Sequence, residues 1–139
     1  MERAFKICII DDSKTVRDEL RTLLEKEKYE IVEADDGLNG LKILGQNRDV
    51  NLIVTDVNMP NMDGIIMCRK IKEDELLKDI PIMMFTTQSG TAELEQGKEI
   101  GITSWLTKPL VPDKFLKVAN AILNKKIMSW KSVLKKDIA

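Results

Sequence analysis

Ile7-Cys8-Ile9-Ile10-Asp11-Asp12 is a short apolar run that ends in two acidic residues. Three later short runs also end at a polar residue: Leu52–Thr55 at Asp56, Ile82–Phe85 at Thr86, and Trp105–Thr107 at Lys108. If these runs are parallel strands of one sheet, their carboxyl ends share the edge at which open α/β sheets bind ligands. Three carboxylates, a hydroxyl and an ammonium group would then meet there, a set that suits a divalent metal and a phosphoryl group.

The whole chain repeats a strand-helix pattern. Apolar runs near residues 5–10, 29–34, 51–55, 81–86 and 102–106 alternate with longer segments of helical period. Crossovers between parallel strands are right-handed, so we predict an α/β fold, a doubly wound sheet of five parallel strands with five helices. The run at 29–34 interleaves glutamates with apolar residues, which favours a place nearer the edge of the sheet.

Local signals indicate where the first three helices begin. Ser13 or Asp12 is suited to cap the first helix, because both residue types accept hydrogen bonds from free backbone amides. Four of the charged residues in and next to that helix can face water: Lys14, Arg17, Glu25 and Lys28. A second helix is predicted from near Gly37, and a third from Gly64 as far as Leu76.

The last two helices differ in character. The fourth, at about 91–100, contains Gly97, and an interior glycine costs a helix about 1 kcal/mol relative to alanine, so we expect this helix to be mobile. The fifth begins near Pro112, which suits a first helical turn. Residues 126–139 keep a helical spacing among lysines and are predicted to continue this helix, either packed on their own domain or binding a partner.

Length and composition limit the classes of function. A chain of 139 residues suits one domain, and 22 basic against 23 acidic residues provide no cationic field for nucleic acid or an anionic membrane. Histidine is absent, which excludes histidine-based catalysis within the chain. No apolar stretch approaches the roughly 20 residues of a membrane span, and residues 1–6 do not resemble a secretory signal, so we expect a cytoplasmic protein. Cys8 and Cys68 are expected to pack as small hydrophobic residues.

The residues at the strand ends suggest phosphoryl chemistry. An aspartate such as Asp56 can attack phosphorus and form an acyl phosphate if the incoming charge is neutralised. Three adjacent carboxylates repel one another, so they favour a bound cation, and Mg²⁺ suits a site of few protein oxygens. Lys108 offers a compact positive charge to a phosphoryl oxygen, and Thr86 offers a hydroxyl that can turn toward it.

Four motifs together carry a family resemblance. They are Asp11-Asp12-Ser13, the segment from Val54 to Gly64, Thr86-Thr87, and Lys108-Pro109. In this order they resemble the receiver domain of bacterial response regulators, over residues 5 to about 125, and the segment 58–64 is similar to that of stand-alone chemotaxis regulators. The resemblance implies a receiver domain at 1–125 with a flavodoxin-like sheet of order 2-1-3-4-5. It also implies phosphorylation of Asp56 by a histidine kinase or phosphotransfer protein.

The resemblance also assigns roles around the acceptor. It implies that Mg²⁺ is held by Asp12 and Asp56, by Asp11 directly or through water, and by the backbone carbonyl of Asn58. The side chains implied to line the phosphoryl pocket are Asn58, Thr87, Gln88 and Pro109. Thr86 and Trp105 are implied to act as the switch that alters a face built from the fourth helix, fifth strand and fifth helix.

Two positions depart from the family pattern. Trp105 stands where tyrosine or phenylalanine is usual, and its larger ring either swings less fully or stays outside as a docking surface. Thr87 replaces the alanine or glycine often found after the switch hydroxyl, and its bulk can slow entry of small phosphodonors or water.

Each residue taken alone has an ordinary structural explanation. Asp11 or Asp12 can be a helix cap, Thr86 a strand residue, Lys108 a surface lysine and Trp105 half-buried packing. The functional alternative is an aspartyl-phosphate phosphatase of the haloacid dehalogenase type. Such enzymes usually carry a second aspartate two residues after the nucleophile, and that position is Asn58 here.

The preferred interpretation is a phosphorylation-dependent signalling module of a two-component system, with no turnover activity beyond its own phosphorylation and dephosphorylation. We expect it to signal by changing what it binds, with an unidentified downstream protein target and with neither nucleic acid nor membrane as a partner. Chemotaxis, a phosphorelay or type IV pilus control would fit equally well.

Overall fold

The computed structural model describes residues 4–127, and its centre is a five-stranded parallel sheet of order β2-β1-β3-β4-β5. The strands are β1 (Lys6–Ile10), β2 (Glu30–Ala34), β3 (Leu52–Thr55), β4 (Ile82–Thr86) and β5 (Ser104–Thr107). The helices are α1 (Lys14–Glu25), α2 (Gly37–Gln46), α3 (Gly64–Glu73), α4 (Thr91–Ile100) and α5 (Pro112–Ile127). The predicted α/β class, strand order and alternation of elements are confirmed, and β2 is an edge strand as the glutamates indicated.

Alternate residues of each strand face opposite sides of the sheet, as the two-residue period of a strand requires. Cys8 and Ile10 of β1 belong to one apolar core with the inner faces of α2 and α3. Ile7 and Ile9 belong to a second core with α1 and α5. The central strands are therefore buried on both faces, which explains why their sequences are almost continuously apolar.

The two cysteines lie inside the first of these cores. Cys8 and Cys68 are both fully buried, and burial raises the pKa of each thiol to about 12. They pack as small hydrophobic residues, as predicted.

Strand pairing brings the carboxyl ends of the central strands into line. Ile10 is in register with both Ala34 of β2 and Thr55 of β3, and Thr86 of β4 is in register with Thr107 of β5. The residues that follow these strands therefore emerge at one edge of the sheet, as expected for a parallel sheet.

Two details of the helices differ from the predictions. Arg17 was predicted to face water, but its side chain is 16% exposed because its guanidinium pairs with Glu33 of the adjacent strand β2. The third helix was predicted to reach Leu76, but α3 ends at Glu73. Asp74 adopts an extended backbone and its carboxylate accepts the Leu76 amide, a local bond that competes with helix continuation. Leu76 is consequently 59% exposed.

Gly97 of α4 has a packing role that its helix propensity does not reveal. It is buried, and a Cβ at this position would lie 3.0 Å from Cζ3 of Trp105 in β5. The absence of a side chain lets the tryptophan ring lie against the helix backbone. Mobility of α4 stays a prediction.

The C-terminal prediction falls largely outside the described residues. Helix α5 extends to Ile127, whereas most of the segment 126–139 lies beyond residues 4–127. Within that described range, no helix is both long enough and apolar enough to cross a bilayer.

Candidate functional site

Three acidic side chains meet at the carboxyl edge of the sheet. Asp11 and Asp12 follow β1, Asp56 follows β3, and one carboxylate oxygen of each lies within 4.8 Å of the others. Asp11 is 2% exposed and Asp56 is 8% exposed, whereas Asp12 is exposed to solvent. The acidic cluster is therefore buried at Asp11 and Asp56 and open to solvent at Asp12.

The backbone ladder of the sheet extends one residue beyond the strands and fixes this edge. Asp11 donates its amide to Ala34 O at 3.1 Å, and Asp56 donates its amide to Ile10 O at 3.0 Å. The Lys108 amide bonds Thr86 O at 2.8 Å. Each of the three side chains consequently starts from backbone that is held by the sheet.

Lys108 pairs with two of the three acidic side chains, Asp11 and Asp56. Its Nζ lies 2.9 Å from Asp11 Oδ2 and 2.8 Å from Asp56 Oδ2, and its side chain is 16% exposed. The same ammonium group lies 5.8 Å from the centroid of the Phe85 ring. Lys108 thus bridges the carboxylates that follow two different strands.

Burial and hydrogen bonding have opposing effects on the pKa of both Asp11 and Lys108. Burial raises the pKa of the Asp11 carboxyl, although hydrogen bonds from the Ser13 amide and from Lys108 oppose the rise. Burial alone would lower the pKa of Lys108, but its hydrogen bonds to Asp56 and Asp11 outweigh that cost and raise it. Lys108 is therefore charged and acts as the internal counter-ion of the cluster.

Asp56 is held by its immediate surroundings as well as by Lys108. Its Oδ1 accepts the Val57 amide at 2.6 Å, and its carbonyl oxygen accepts the Thr55 hydroxyl at 2.9 Å. A Cβ at Gly64 would lie 2.0 Å from the Asp56 carbonyl oxygen. The start of α3 can therefore approach the Asp56 backbone this closely only because residue 64 is glycine.

A chain of hydrogen bonds links the site to β5. The Thr86 side chain is fully buried, and its Oγ1 accepts the Gln88 amide at 3.2 Å. The carbonyl oxygen of Gln88 in turn accepts the Trp105 indole N–H at 2.8 Å. The half-buried Trp105 ring is thereby connected to the hydroxyl next to the acidic group through one loop residue.

The remaining residues predicted for the phosphoryl pocket lie on the loops that leave the same edge of the sheet. Asn58 follows β3, Thr87 and Gln88 follow β4, and Pro109 follows β5. Asn58, Thr87 and Pro109 are exposed and Gln88 is half-buried. The structure thus gathers the predicted acceptor, metal-site and phosphoryl-pocket residues at one edge of the sheet, whereas the predicted switch residue Trp105 lies within β5, and the roles of all of them stay predictions.

Two groups of supporting residues were missed by sequence reasoning. The Arg17 guanidinium donates to the carbonyl oxygen of Asp11 at 2.6 Å and to Glu33 at 3.0 Å, so α1 holds the backbone of the loop that follows β1. Glu33, one of the glutamates interleaved in β2, was the sequence feature that could have indicated a partner for Arg17. The second group is Asp36 and Asn61, which bond across 25 positions and leave no local pattern in the sequence.

The acidic cluster fits a magnesium ion by the chemistry of its donors. Mg²⁺ prefers oxygen ligands, commonly one or two carboxylates together with waters and a phosphate oxygen. Asp11, Asp12 and Asp56 provide three carboxylates close enough to share an ion, and exposed Asp12 leaves solvent access.

Comparisons with known proteins agree with this geometry. The family model described as the response regulator receiver domain matches residues 7–120. The chemotaxis protein CheY1 of Helicobacter pylori is 35% identical over 108 residues, covering 77% of this chain and 87% of the relative. Protein PilG of Pseudomonas aeruginosa is 33% identical over 111 residues, covering 80% and 82%. The structure of CheY4 from Vibrio cholerae superposes with a TM-score of 0.82 at 32% identity, covering 87% of this chain and all of that one.

Proposed function

Because this chain belongs to the response regulator receiver family and is of the CheY type, we propose that it is a phosphorylation-controlled switch. Asp56 accepts a phosphoryl group from a histidine kinase or phosphotransfer protein in the presence of Mg²⁺. The observation that carries the proposal is the position of Lys108, whose ammonium group bridges Asp11 and Asp56. A half-buried cation at this place can follow a new negative charge that forms on Asp56.

The transfer step uses the Asp56 carboxylate as the nucleophile. One of its oxygens forms the bond to phosphorus while the bond from phosphorus to the donor breaks, and the electron pair stays on the donor. Asp11, Asp12, Asp56 and the Asn58 carbonyl would hold Mg²⁺, which neutralises negative charge on the acceptor and the phosphoryl oxygens when bound. Lys108 releases Asp56 Oδ2 to contact a phosphoryl oxygen, while its bond to Asp11 keeps the side chain in place.

The output follows from the hydrogen-bond chain that begins at Thr86. When the Thr86 hydroxyl turns to the phosphoryl group, its bond with the Gln88 amide is lost, and the loop that accepts the Trp105 indole is released. Trp105 packs on α4, so this movement alters the surface of α4, β5 and α5. We propose that a downstream protein recognises this surface.

The proposed pathway is chemotaxis, because chemotaxis proteins are among the relatives that match most of the chain. The domain acts as a switch, with no turnover activity beyond its own phosphorylation and dephosphorylation. The alternative of a haloacid dehalogenase-type phosphatase is not supported, since the receiver family model covers residues 7–120 and Asn58 occupies the position of the second aspartate.

Phosphorylation of the Asp56→Asn variant tests the proposal directly. With acetyl phosphate and Mg²⁺, the unaltered protein should gain one base-labile phosphoryl group by mass spectrometry, and Asp56→Asn should gain none. Asp63→Asn is the matched control, because it makes the same chemical change in the following loop, where Asp63 caps α3. Equal labelling of Asp56→Asn and the unaltered protein would refute the assignment of the acceptor.

A further inference from the structure

Asp36 makes more contacts than a helix cap requires. It is the N-cap of α2, and its Oδ1 accepts the Asn39 amide at 2.8 Å. Its second oxygen, Oδ2, accepts a hydrogen bond at 2.7 Å from the side-chain amide of Asn61, which belongs to the loop between Asp56 and α3. Ser13 caps α1 and Asp63 caps α3 in the usual way, since each accepts a hydrogen bond from an amide of its own helix.

The backbone reinforces this connection one residue further along. The Gly37 amide donates to the carbonyl oxygen of Met62 at 3.1 Å. A Cβ at Gly37 would lie 2.4 Å from that oxygen, so the two loops approach more closely than any side chain at this position would allow. We refer to the Asp36–Asn61 and Gly37–Met62 bonds together as the loop bridge.

The conformation of Asn61 suits its role in the loop bridge. Its φ is 66°, in the left-handed region that asparagine tolerates better than most other side chains. Next to it, the Met62 amide closes a tight turn onto Pro60 O at 2.7 Å. The turn therefore directs the Asn61 amide toward α2.

The burial of Asp36 makes this second bond important. Asp36 is 5% exposed, whereas its neighbour Asp35 is exposed, and a buried carboxylate is costly unless hydrogen bonds satisfy its oxygens. The Asn39 amide, followed by the Asn61 side chain, lowers the pKa of Asp36 and keeps it ionised. Both oxygens are thus used, one for the helix and one for the loop.

The loop that is held in this way carries part of the proposed metal site. It begins directly after Asp56 and includes Asn58, whose backbone carbonyl is an expected ligand. Its far end is fixed by the Gly64 amide, which donates to Val57 O at 2.7 Å. With the Gly64 contact at its base and the loop bridge at Asn61, the loop is constrained at two points.

We propose that Asp36 is a positioning residue that sets the affinity for magnesium. It does so by its bond to Asn61, which holds the loop that carries Asn58. This inference rests on the proposed function, since it assumes that the acidic cluster binds Mg²⁺. Residues that orient the ligands of a metal commonly contribute about tenfold or more to its affinity. Asp36 would act in this way from outside the cluster formed by Asp11, Asp12 and Asp56.

Two substitutions separate the bridge from the helix cap. Asp36→Ser keeps a good capping residue, whose one hydroxyl oxygen can accept the Asn39 amide, but it removes the second carboxylate oxygen, which accepts the Asn61 side chain. Asn61→Gly removes the donor and leaves a residue that adopts positive φ without strain. Asp63→Asn is the matched control, because it removes the same charge from a capping residue in the same loop.

The experiment measures Mg²⁺ dissociation constants by isothermal titration calorimetry and free energies of unfolding by urea denaturation. Asp36→Ser and Asn61→Gly should each weaken Mg²⁺ binding about tenfold. The double variant should be no weaker than either single variant, since both remove one interaction. Asp63→Asn should stay within about twofold of the unaltered protein.

Three results would overturn the inference. Mg²⁺ affinities of both single variants within about twofold of Asp63→Asn would mean that Asp36 has no positioning role. Loss of unfolding free energy without loss of Mg²⁺ affinity would reduce Asp36 to a structural cap. Additive effects in the double variant would mean that Asp36 and Asn61 act separately. Failure of the proposed function is distinguishable, because the unaltered protein would then bind no Mg²⁺ and Asp56 would not be phosphorylated.

Discussion

The indole N–H of Trp105 donates a hydrogen bond of 2.8 Å to the carbonyl oxygen of Gln88, two residues after Thr86. The ring is half-buried and lies against Gly97 of α4. The tryptophan is therefore held by polar contact on one side and by packing on the other. Movement of the loop at Gln88 must change the environment of this ring.

Trp105 should report activation by its fluorescence. In a Trp130→Phe background, addition of Mg²⁺ and beryllofluoride, an analogue of the phosphoryl group, should shift the Trp105 emission. The shift should vanish in Thr86→Ala, because the hydroxyl that connects the acidic site to Gln88 is then missing. An emission spectrum that ignores both additions in the Trp130→Phe protein would contradict the proposed route.

Replacing Lys108 should leave phosphorylation of Asp56 possible but abolish the change at Trp105 that follows it. Lys108→Ala leaves Asp11 and Asp56 without their shared counter-ion, which should cost about 1–3 kcal/mol of unfolding free energy and make Mg²⁺ bind more tightly. Asp56 should still be phosphorylated, but the Trp105 emission change should be lost. Lys117→Ala, an exposed lysine of α5, is the control for loss of one positive charge. An unchanged Trp105 response in Lys108→Ala would exclude this role.

Two glycine substitutions should have opposite effects on stability. Gly64→Ala places a methyl group against the carbonyl of Asp56 and should lower the unfolding free energy by about 1–3 kcal/mol, with impaired phosphorylation. At Gly45 in α2 an added methyl group meets no atom within 4 Å. Gly45→Ala should therefore raise the unfolding free energy by up to about 1 kcal/mol, because alanine favours the helix. Urea denaturation of both variants measures this difference. Equal effects would show that the close approach at Gly64 is not a constraint.

The stability contributed by ionised Asp36 should depend on pH in the acidic range. Hydrogen bonds from Asn39 and Asn61 lower the pKa of Asp36 below its ordinary value of 3.8, so protonation weakens the folded state. The contribution is complete above 3.8 and is lost as the pH falls through the folded pKa. The difference in unfolding free energy between the unaltered protein and Asp36→Asn should therefore be constant near neutrality and shrink below pH 3.8. A difference that grows on acidification would contradict the sign of this shift.

The positions of the acidic residues and Lys108 were predictable because two simple rules act together. Buried parallel strands show as continuous apolar runs, and the ends of such strands meet at one edge of the sheet. Asp11, Asp56 and Lys108 were placed by these rules alone, since each lies one residue beyond a strand.

Contacts between distant elements were not predictable in this way. Arg17 is a charged residue on an amphipathic helix, a pattern that normally indicates exposure, and only the structure reveals its bonds to Asp11 and Glu33. The bond from Asn61 to Asp36 depends on two loops that meet after folding. The end of α3 was missed because apolar spacing suggested continuation to Leu76, whereas Asp74 stops the helix through its own side chain.

The extension of the hydrogen-bond ladder past the strand ends has a consequence for how such a domain diversifies. Asp11, Asp56 and Lys108 are anchored by sheet backbone, whereas Asn58, Thr87 and Gln88 stand on the loops beyond it. Substitutions among the outer residues can therefore change the surroundings of the site during divergence without displacing the three side chains that the sheet anchors.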